Sequence, residues 1–172
     1  MIDDVAKEKI YQDIIIVNDQ DEVIGAENLL VAIERHHLRR SSRIFVCNEQ
    51  HQVLLQKRSQ FVHKPGLLDM SAGGHVDSGE TYAEAARREL TEELGITNVP
   101  LEPLVTSWRN AESFTTIFKI QVPAVTVFTT DPHEIEQVAW YQADIINSQV
   151  ASTPEQFSPD FISTWNAWKH LL

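Results

Sequence analysis

Two hydrophobic periods alternate along this chain, and the places where one gives way to the other mark its elements. Residues 11–17 and 23–25, split by the turn-rich Asn18-Asp19-Gln20-Asp21-Glu22, predict the two strands of a hairpin. Over residues 26–38, Leu29, Leu30 and Ile33 recur at helical spacing, which predicts a short helix closing on Arg35-His36-His37-Leu38-Arg39-Arg40. Residues 43–47 and 53–56 predict a second hairpin across 48–51. Pro65-Gly66 marks a loop, residues 67–71 a short strand, and residues 81–94 the clearest helix of the chain. Strands are expected at 104–108, 114–121 and 136–140, and a closing amphipathic helix at 161–172. Strands that precede and follow a central helix, joined mostly by hairpins, imply an α/β chain in which helices cover a mixed sheet.

Length and composition narrow the picture. With 172 residues, 42% of them apolar, the chain is expected to fold as one compact domain with an extension. The extension is residues 1–34, an N-terminal hairpin and the start of a helix, packed on a core of residues 35–172. Fourteen Lys and Arg against 25 Asp and Glu give a net charge of -11, which argues against general affinity for a nucleic-acid polymer or an anionic membrane. An anionic substrate would therefore need local basic residues or a metal. The first residues carry Asp3, Asp4 and Glu8 and no long apolar run, and nowhere do eighteen uncharged apolar residues stand together, so no targeting or membrane segment is expected. Cys47 is the only cysteine. It excludes an intrachain disulfide and predicts a buried, inert thiol in a reducing cytoplasm.

Candidate chemistry concentrates in one segment. Of six glycines, Gly73, Gly74, Gly79 and Gly95 fall inside or beside residues 73–96. Gly73-Gly74 and Ser78-Gly79 fit a tight loop entering a helix, Thr81 with Glu84 is a capping-box pattern, and Gly95 stands where a helix ends. On that helix Glu89, Glu92 and Glu93 lie at i, i+3 and i+4, which gathers three carboxylates within about one turn. Ala83, Ala86, Leu90 and Leu94 form an apolar stripe roughly 110° away, so that stripe can be buried while the acidic one borders a cleft. Clustered carboxylates repel unless cations neutralise them, and hard oxygen ligands suit Mg²⁺ or Mn²⁺. Arg88, one turn from both Glu84 and Glu92, can brace the acidic row. A bare Glu-x-x-Glu-Glu is ordinarily a solvated helix face. The glycine-rich entry, the extra Glu80 and the Arg88-Glu89 pair are features that a generic surface helix does not need.

Gly74, Glu80, Arg88, Glu89, Leu90, Glu92, Glu93, Gly95 and Ile96 together resemble the signature of the Nudix hydrolases, with every fixed position filled in order over 23 residues. The resemblance implies an α/β/α sandwich and hydrolysis of a diphosphate linkage in a small nucleoside-diphosphate-type or other diphosphate compound. It also implies metal ligands at Glu89, Glu92, Glu93 and the Gly74 carbonyl, with Arg88 and Glu80 in support. Homodimers are common among proteins resembling this one. Metal ions held there would bridge phosphate oxygens and activate water, with Glu93 or Glu92 taking its proton; Glu112, Glu134 and Glu136 are further candidates for that base.

A finer resemblance, carried by residues 53–59, 64–69 and Gly73-Gly74-His75-Val76, is to the branch that contains isopentenyl-diphosphate isomerases. There the catalytic cysteine falls at the position of Gly73, His75 matches a metal-binding histidine, and the expected Leu-His-Arg reads Leu38-Arg39-Arg40. A loop histidine bonded to backbone is the plainer reading of His75. Three functions are thus in view: a diphosphate hydrolase, an isomerase-like enzyme and a non-catalytic nucleotide sensor. Gly73 argues against the second, the complete glutamate set against the third. Lys57, Arg58 and Lys64 are expected to hold substrate phosphate, or else to pair with acids at a strand end. Arg35, Arg39, Arg40 and Arg43 could also hold phosphate, but so dense a run is more often a solvated patch or a contact to an acidic partner. Trp140, Trp165 and Trp168 are expected in the core, and Trp108 either there or stacked on a substrate ring.

Overall fold

The computed structural model describes residues 12–172. Tyr11, and with it most of the extension's first residues, lies outside the described residues. In chain order the elements are β1 (Asp13–Val17), β2 (Val23–Asn28), α1 (Leu29–Glu34), β3 (Arg39–Cys47), β4 (Gln52–Arg58), β5 (Leu68–Asp69) and β6 (Ala72–His75). There follow α2 (Tyr82–Leu94), β7 (Glu102–Arg109), β8 (Ser113–Gln121), β9 (Ile135–Gln142), α3 (Ala143–Ser152) and α4 (Pro159–Trp168).

The first hairpin turns on Asn18, whose side-chain oxygen accepts the amides of Gln20 and Glu22 at 2.9 and 3.0 Å. β2 runs on to Asn28, so α1 is far shorter than residues 26–38. Ala26 and Glu27 pair with Ile15 and Ile14 of β1, and that ladder outweighs a helical pattern of which only Ala32 is buried. Asn28 then caps α1 by accepting the Leu30 amide at 3.1 Å, and His36 at φ 54° ends the segment.

β3 and β4 are the predicted second hairpin, yet they pair only next to the turn, Cys47 opposite Val53. Beyond that point they part. β3 runs parallel to β8 from Arg39–Ser113 to Cys47–Gln121 and antiparallel to β6, while β4 pairs antiparallel with β9 and β5. β7 flanks β8. The sheet is therefore forked, and the chain crosses the fork between β5 and β6 at Ser71, which is fully buried. Its hydroxyl donates to the Leu54 carbonyl on one prong at 2.6 Å and accepts the Val46 amide on the other at 2.8 Å.

Both faces of the sheet are covered. Ile44, Val46 and Leu54 pack with Ala86, Leu90 and Leu94 of α2 on one side. Phe45, Val53 and Leu55 pack on the other with Ile146 of α3 and Phe161 and Trp165 of α4. This is the α/β/α arrangement with a mixed sheet. It also explains why residues 44–47 of β3 and 53–55 of β4 are unbroken apolar runs, since strand segments buried on both sides lose the alternation of a one-sided sheet. Cys47 is buried and its thiol is pushed up by that burial. Trp165 is fully buried, with Trp140 and Trp168 partly so. Trp108 meets Trp168 edge-on at 5.8 Å, which makes it a packing residue of the C-terminal layer.

Candidate active site

The catalytic-looking helix is held at both ends by the residues its sequence supplies. Thr81 accepts the Glu84 amide at 3.2 Å while Glu84 accepts the Thr81 amide at 2.8 Å, a complete capping box. At the other end Gly95 adopts the left-handed conformation, φ 68°, and the Gly95 and Ile96 amides close on Thr91 and Leu90 at 3.1 and 3.0 Å. The glycine-rich entry segment is a strand: β6 pairs with β3, Gly74 opposite Ser42 and Gly73 opposite Arg43. It runs beside α2, and that proximity sets the geometry of the acids.

Glu89 and Glu93 are 5% and 4% exposed, whereas the Glu92 side chain is 40% exposed. The acidic stripe is thus split, with two carboxylates turned inward and one on the rim. Arg88 organises them. Its guanidinium donates to both Glu80 oxygens at 2.9 and 3.0 Å, to Glu89 Oε1 at 2.7 Å and to the His75 carbonyl at 3.0 Å. Asp77 lies at 3.2 Å and Glu92 at 3.5 Å. Burial alone would lower the Arg88 pKa, but these acids outweigh it and hold the guanidinium above its ordinary range. Burial likewise raises the Glu80 carboxyl, and the bonds from Arg88 and the Asp77 amide more than reverse that.

Glu93 Oε2 accepts the Gly73 amide at 3.2 Å and Gln56 Nε2 at 3.4 Å. Gly74 is required for contact: a Cβ built on it would stand 2.0 Å from Glu89 Oε1. Among the described residues no three His, Cys, Asp or Glu side chains are gathered tightly enough to hold an ion as they stand, because Arg88 and the Gly73 amide engage them. The donor set still fits a hard divalent cation. Three carboxylates sit with a side-chain-free backbone segment pressed against one of them, and all the donors are oxygen. His75 is partly buried; burial first, then the Arg39 and Arg43 charges, push its pKa down to about 4, so its ring is neutral near pH 7.

The fork of the sheet opens as a cleft of about 750 Å³. Gly73, Gly74, His75 and Glu93 line it, together with Arg58 and Lys64. Arg58 donates to Asp69 at 3.1 Å and to the His63 carbonyl at 2.8 Å, and Lys64 lies 3.4 Å from Asp160. Lys57 is not brought to the cleft. It follows Gln56 on β4, so it points to the opposite side of the strand, where it meets Glu136 at 2.7 Å.

Of the four arginines of the basic run that could hold phosphate, Arg39 and Arg43 line the cleft. That run disperses: Arg35 pairs with Glu27 at 2.6 Å, and Arg40 pairs with Asp21 at 2.7 Å beneath the Tyr82 ring. A signal was present in the two-residue spacing of Arg39, Ser41 and Arg43, which a strand places on one face. It was masked by counting charge instead of period.

With this geometry in hand, similarity to known proteins has physical content. Residues 37–161 match the NUDIX domain. An uncharacterised Nudix hydrolase of Yersinia pestis is 32% identical over 156 residues, covering 89% of this chain and 83% of that protein. An isopentenyl-diphosphate Δ-isomerase of Enterobacter sp. is 29% identical over 167 residues, covering 90% and 89%. A crystal structure from Deinococcus radiodurans matches with a TM-score of 0.80 at 27% identity, covering 91% of this chain and 99% of that one. No helix among the described residues is long and apolar enough to cross a membrane. With the family's domain matched across most of its length and the signature glutamates arrayed on α2 against β6, the chain belongs to the Nudix hydrolases.

Proposed function

We propose that the chain hydrolyses the diphosphate linkage of a small diphosphate compound with Mg²⁺, or Mn²⁺, held by Glu89, Glu92, Glu93 and the Gly74 carbonyl. The observation that carries this reading is the bracing of Glu80, Arg88 and Glu89 against Gly74 at the wall of a cleft that also presents Arg58 and Lys64. When bound, the ion supplies neutralisation of phosphate charge and a more acidic water. Water oxygen attacks phosphorus, the bridging phosphorus–oxygen bond breaks, and the departing phosphate group carries away the bond electrons. The proton of that water passes to a glutamate. Glu93 suits the task best, since it alone of the three lines the cleft, with Glu92 on the rim as the second candidate. Arg88 acts as a positioning residue: it fixes Glu80 and Glu89 and prevents the acids from spreading apart. A single buried cysteine supports a reducing, cytoplasmic setting. The test is a screen of small diphosphates with added Mg²⁺ or Mn²⁺ and products identified by mass; no cleavage of any phosphorus–oxygen–phosphorus bond would sink the proposal.

Arg58 and Lys64 hold substrate phosphate in this reading. Arg58→Ala is then expected to raise KM by ~10-fold with kcat changed by less than ~3-fold, because a clamp made equally in ground and transition states affects binding alone. Added salt should weaken substrate binding less in the variant than in the parent. If KM is unchanged in both Arg58→Ala and Lys64→Ala, the two residues serve only their pairs with Asp69 and Asp160.

The isomerase reading gains nothing from the geometry at Gly73. A Cβ there would meet the Ser42 carbonyl oxygen at 2.7 Å and the Arg43 Cα at 3.3 Å, both backbone atoms of the paired strand. Gly73→Cys is expected to lose ~1–3 kcal/mol of stability through that overlap and to acquire no isomerase activity. Wild-type protein is expected to leave isopentenyl diphosphate unconverted. Appearance of the dimethylallyl isomer with either protein would overturn this.

A further inference from the structure

Arg39 is a buried cation with a donor left over. The residue is 5% exposed, its Nη2 donates to Glu112 at 2.7 Å and its Nη1 to the His37 carbonyl at 3.1 Å, yet among the described residues Nε has no partner. Four residues on, along the same face of β3, the partly buried Arg43 guanidinium donates to the Asp160 carbonyl and carboxylate at 3.2 and 3.3 Å and to the Thr164 hydroxyl. Between them the Ser41 hydroxyl lies 2.7 Å from that of Thr115. Both guanidiniums line the cleft that also holds Glu93. The two acids that answer them, Glu112 and Asp160, have side chains more than half exposed, so those carboxylates can turn into solvent while the guanidiniums stay in place.

What the cleft lacks matters equally. Among the described residues no Phe, Tyr or Trp lines it, and the rings it does present are the smaller imidazoles of His63 and His75. Its apolar side chains, among the described residues, are Ile33, Met70, Ala72 and Ala111, too little for a prenyl tail. The rest of its lining is mostly polar, with the guanidiniums of Arg39, Arg43 and Arg58 set among serine hydroxyls, the Gln56 and Asn110 carboxamides and several carboxylates, a set suited to charge and hydroxyl groups.

We propose that Arg39 and Arg43 form a second anion subsite, which takes a phosphate monoester that the substrate carries away from its diphosphate. The substrate class is then a small hydroxylated compound phosphorylated at two separate positions, such as a sugar or polyol, in place of a nucleoside or prenyl diphosphate. A phosphate monoester carries nearly two negative charges and three acceptor oxygens, which matches two planar guanidiniums, one of which has an Nε without a partner among the described residues. The diphosphate end of this assignment rests on the hydrolase reading above; the anion subsite itself does not.

Two measurements test the parts separately. In buffer containing EDTA, where no metal contributes, inorganic phosphate is titrated into the whole protein and followed by calorimetry or amide chemical shifts. Saturable binding is expected, weakened at least ~10-fold in Arg43→Gln and in Arg39→Lys and tightened in Glu112→Gln, which removes a competing carboxylate. Circular dichroism identifies which variants fold, and either arginine variant alone suffices. Absence of phosphate binding by wild type, or equal affinity in a folded arginine variant, overturns the subsite. With Mg²⁺ restored, a sugar 1-diphosphate is compared with and without a phosphate at its far end. The far phosphate should raise kcat/KM at least ~10-fold in wild type and give no advantage in Arg43→Gln. An equal rate for the two compounds overturns the substrate class. If neither is cleaved while phosphate still binds through the arginines, the hydrolase reading has failed and the subsite stands.

Discussion

Glu93→Gln is expected to lower kcat by at least ~100-fold, about 2.7 kcal/mol of transition-state stabilisation, in a protein that remains folded. The substitution is close to isosteric, and an amide oxygen can still accept the Gly73 amide that Glu93 now accepts at 3.2 Å. What is lost is the negative charge and the capacity to take a proton, so the deficit should fall on the chemical step and not on folding. Glu92→Gln should show a loss of the same order, with less effect on stability, because the Glu92 side chain is 40% exposed and its neighbours are better solvated. Single-turnover kinetics and a thermal melt in the same buffer check the pair. Near-normal turnover in both would remove the carboxylate cluster from the reaction.

Gly74→Ala isolates geometry from chemistry. The added methyl would stand 2.0 Å from Glu89 Oε1 and 2.5 Å from its Cδ, a distance no packing tolerates. Those atoms are the end of a flexible side chain, so the carboxylate swings away and the fold loses little. The Glu89 carboxylate is then no longer where Arg88 holds it at 2.7 Å. Activity should fall ~100-fold, since displacement of a ligand by about an ångström is enough to spoil a catalytic arrangement. The melting temperature is expected to fall by only a few degrees, about the effect of ~1 kcal/mol. Retained activity would mean that the contact between Gly74 and Glu89 has no catalytic importance.

The parts of this molecule that were legible beforehand are those whose determinants are local. Thr81, Glu84 and Gly95 write the limits of α2 into a few adjacent positions, and the structure uses each of them as its residue type suggests. The glutamate spacing was equally local, but burial was not: that Glu89 and Glu93 turn inward depends on β6 lying against α2, a long-range fact. α1 was overestimated because Leu29, Leu30 and Ile33 fit a helix while the competing ladder from Ile14 and Ile15 lies in another segment. α3 escaped notice since only Ile146 of its ten residues is buried, which leaves almost no apolar stripe to read. That Arg39 and Arg43 are the two of the basic run to enter the cleft is hidden for a related reason. Their neighbours in sequence include surface cations, and only the strand's alternation separates the two that enter the cleft.

Ser71 gives the cleft its mechanical character. The two prongs of the sheet are joined at the Cys47–Val53 pair and by the one hydroxyl that touches both Val46 and Leu54. Past that rivet each prong keeps its own ladder, β3 with β8 and β6, β4 with β9 and β5. Farther from that vertex the jaws are bridged only through side chains among the described residues: Glu93 accepts from Gly73 of β6 and Gln56 of β4, and Asp160 meets Arg43 of β3 and Lys64 beyond β4. One jaw bears β6, which lies against the acids of α2; the other bears Arg58. Like the fixed arm of a pair of calipers, the α2 side carries its own bracing, since Glu80 and Glu89 are both held by Arg88 and owe nothing to the opposite jaw.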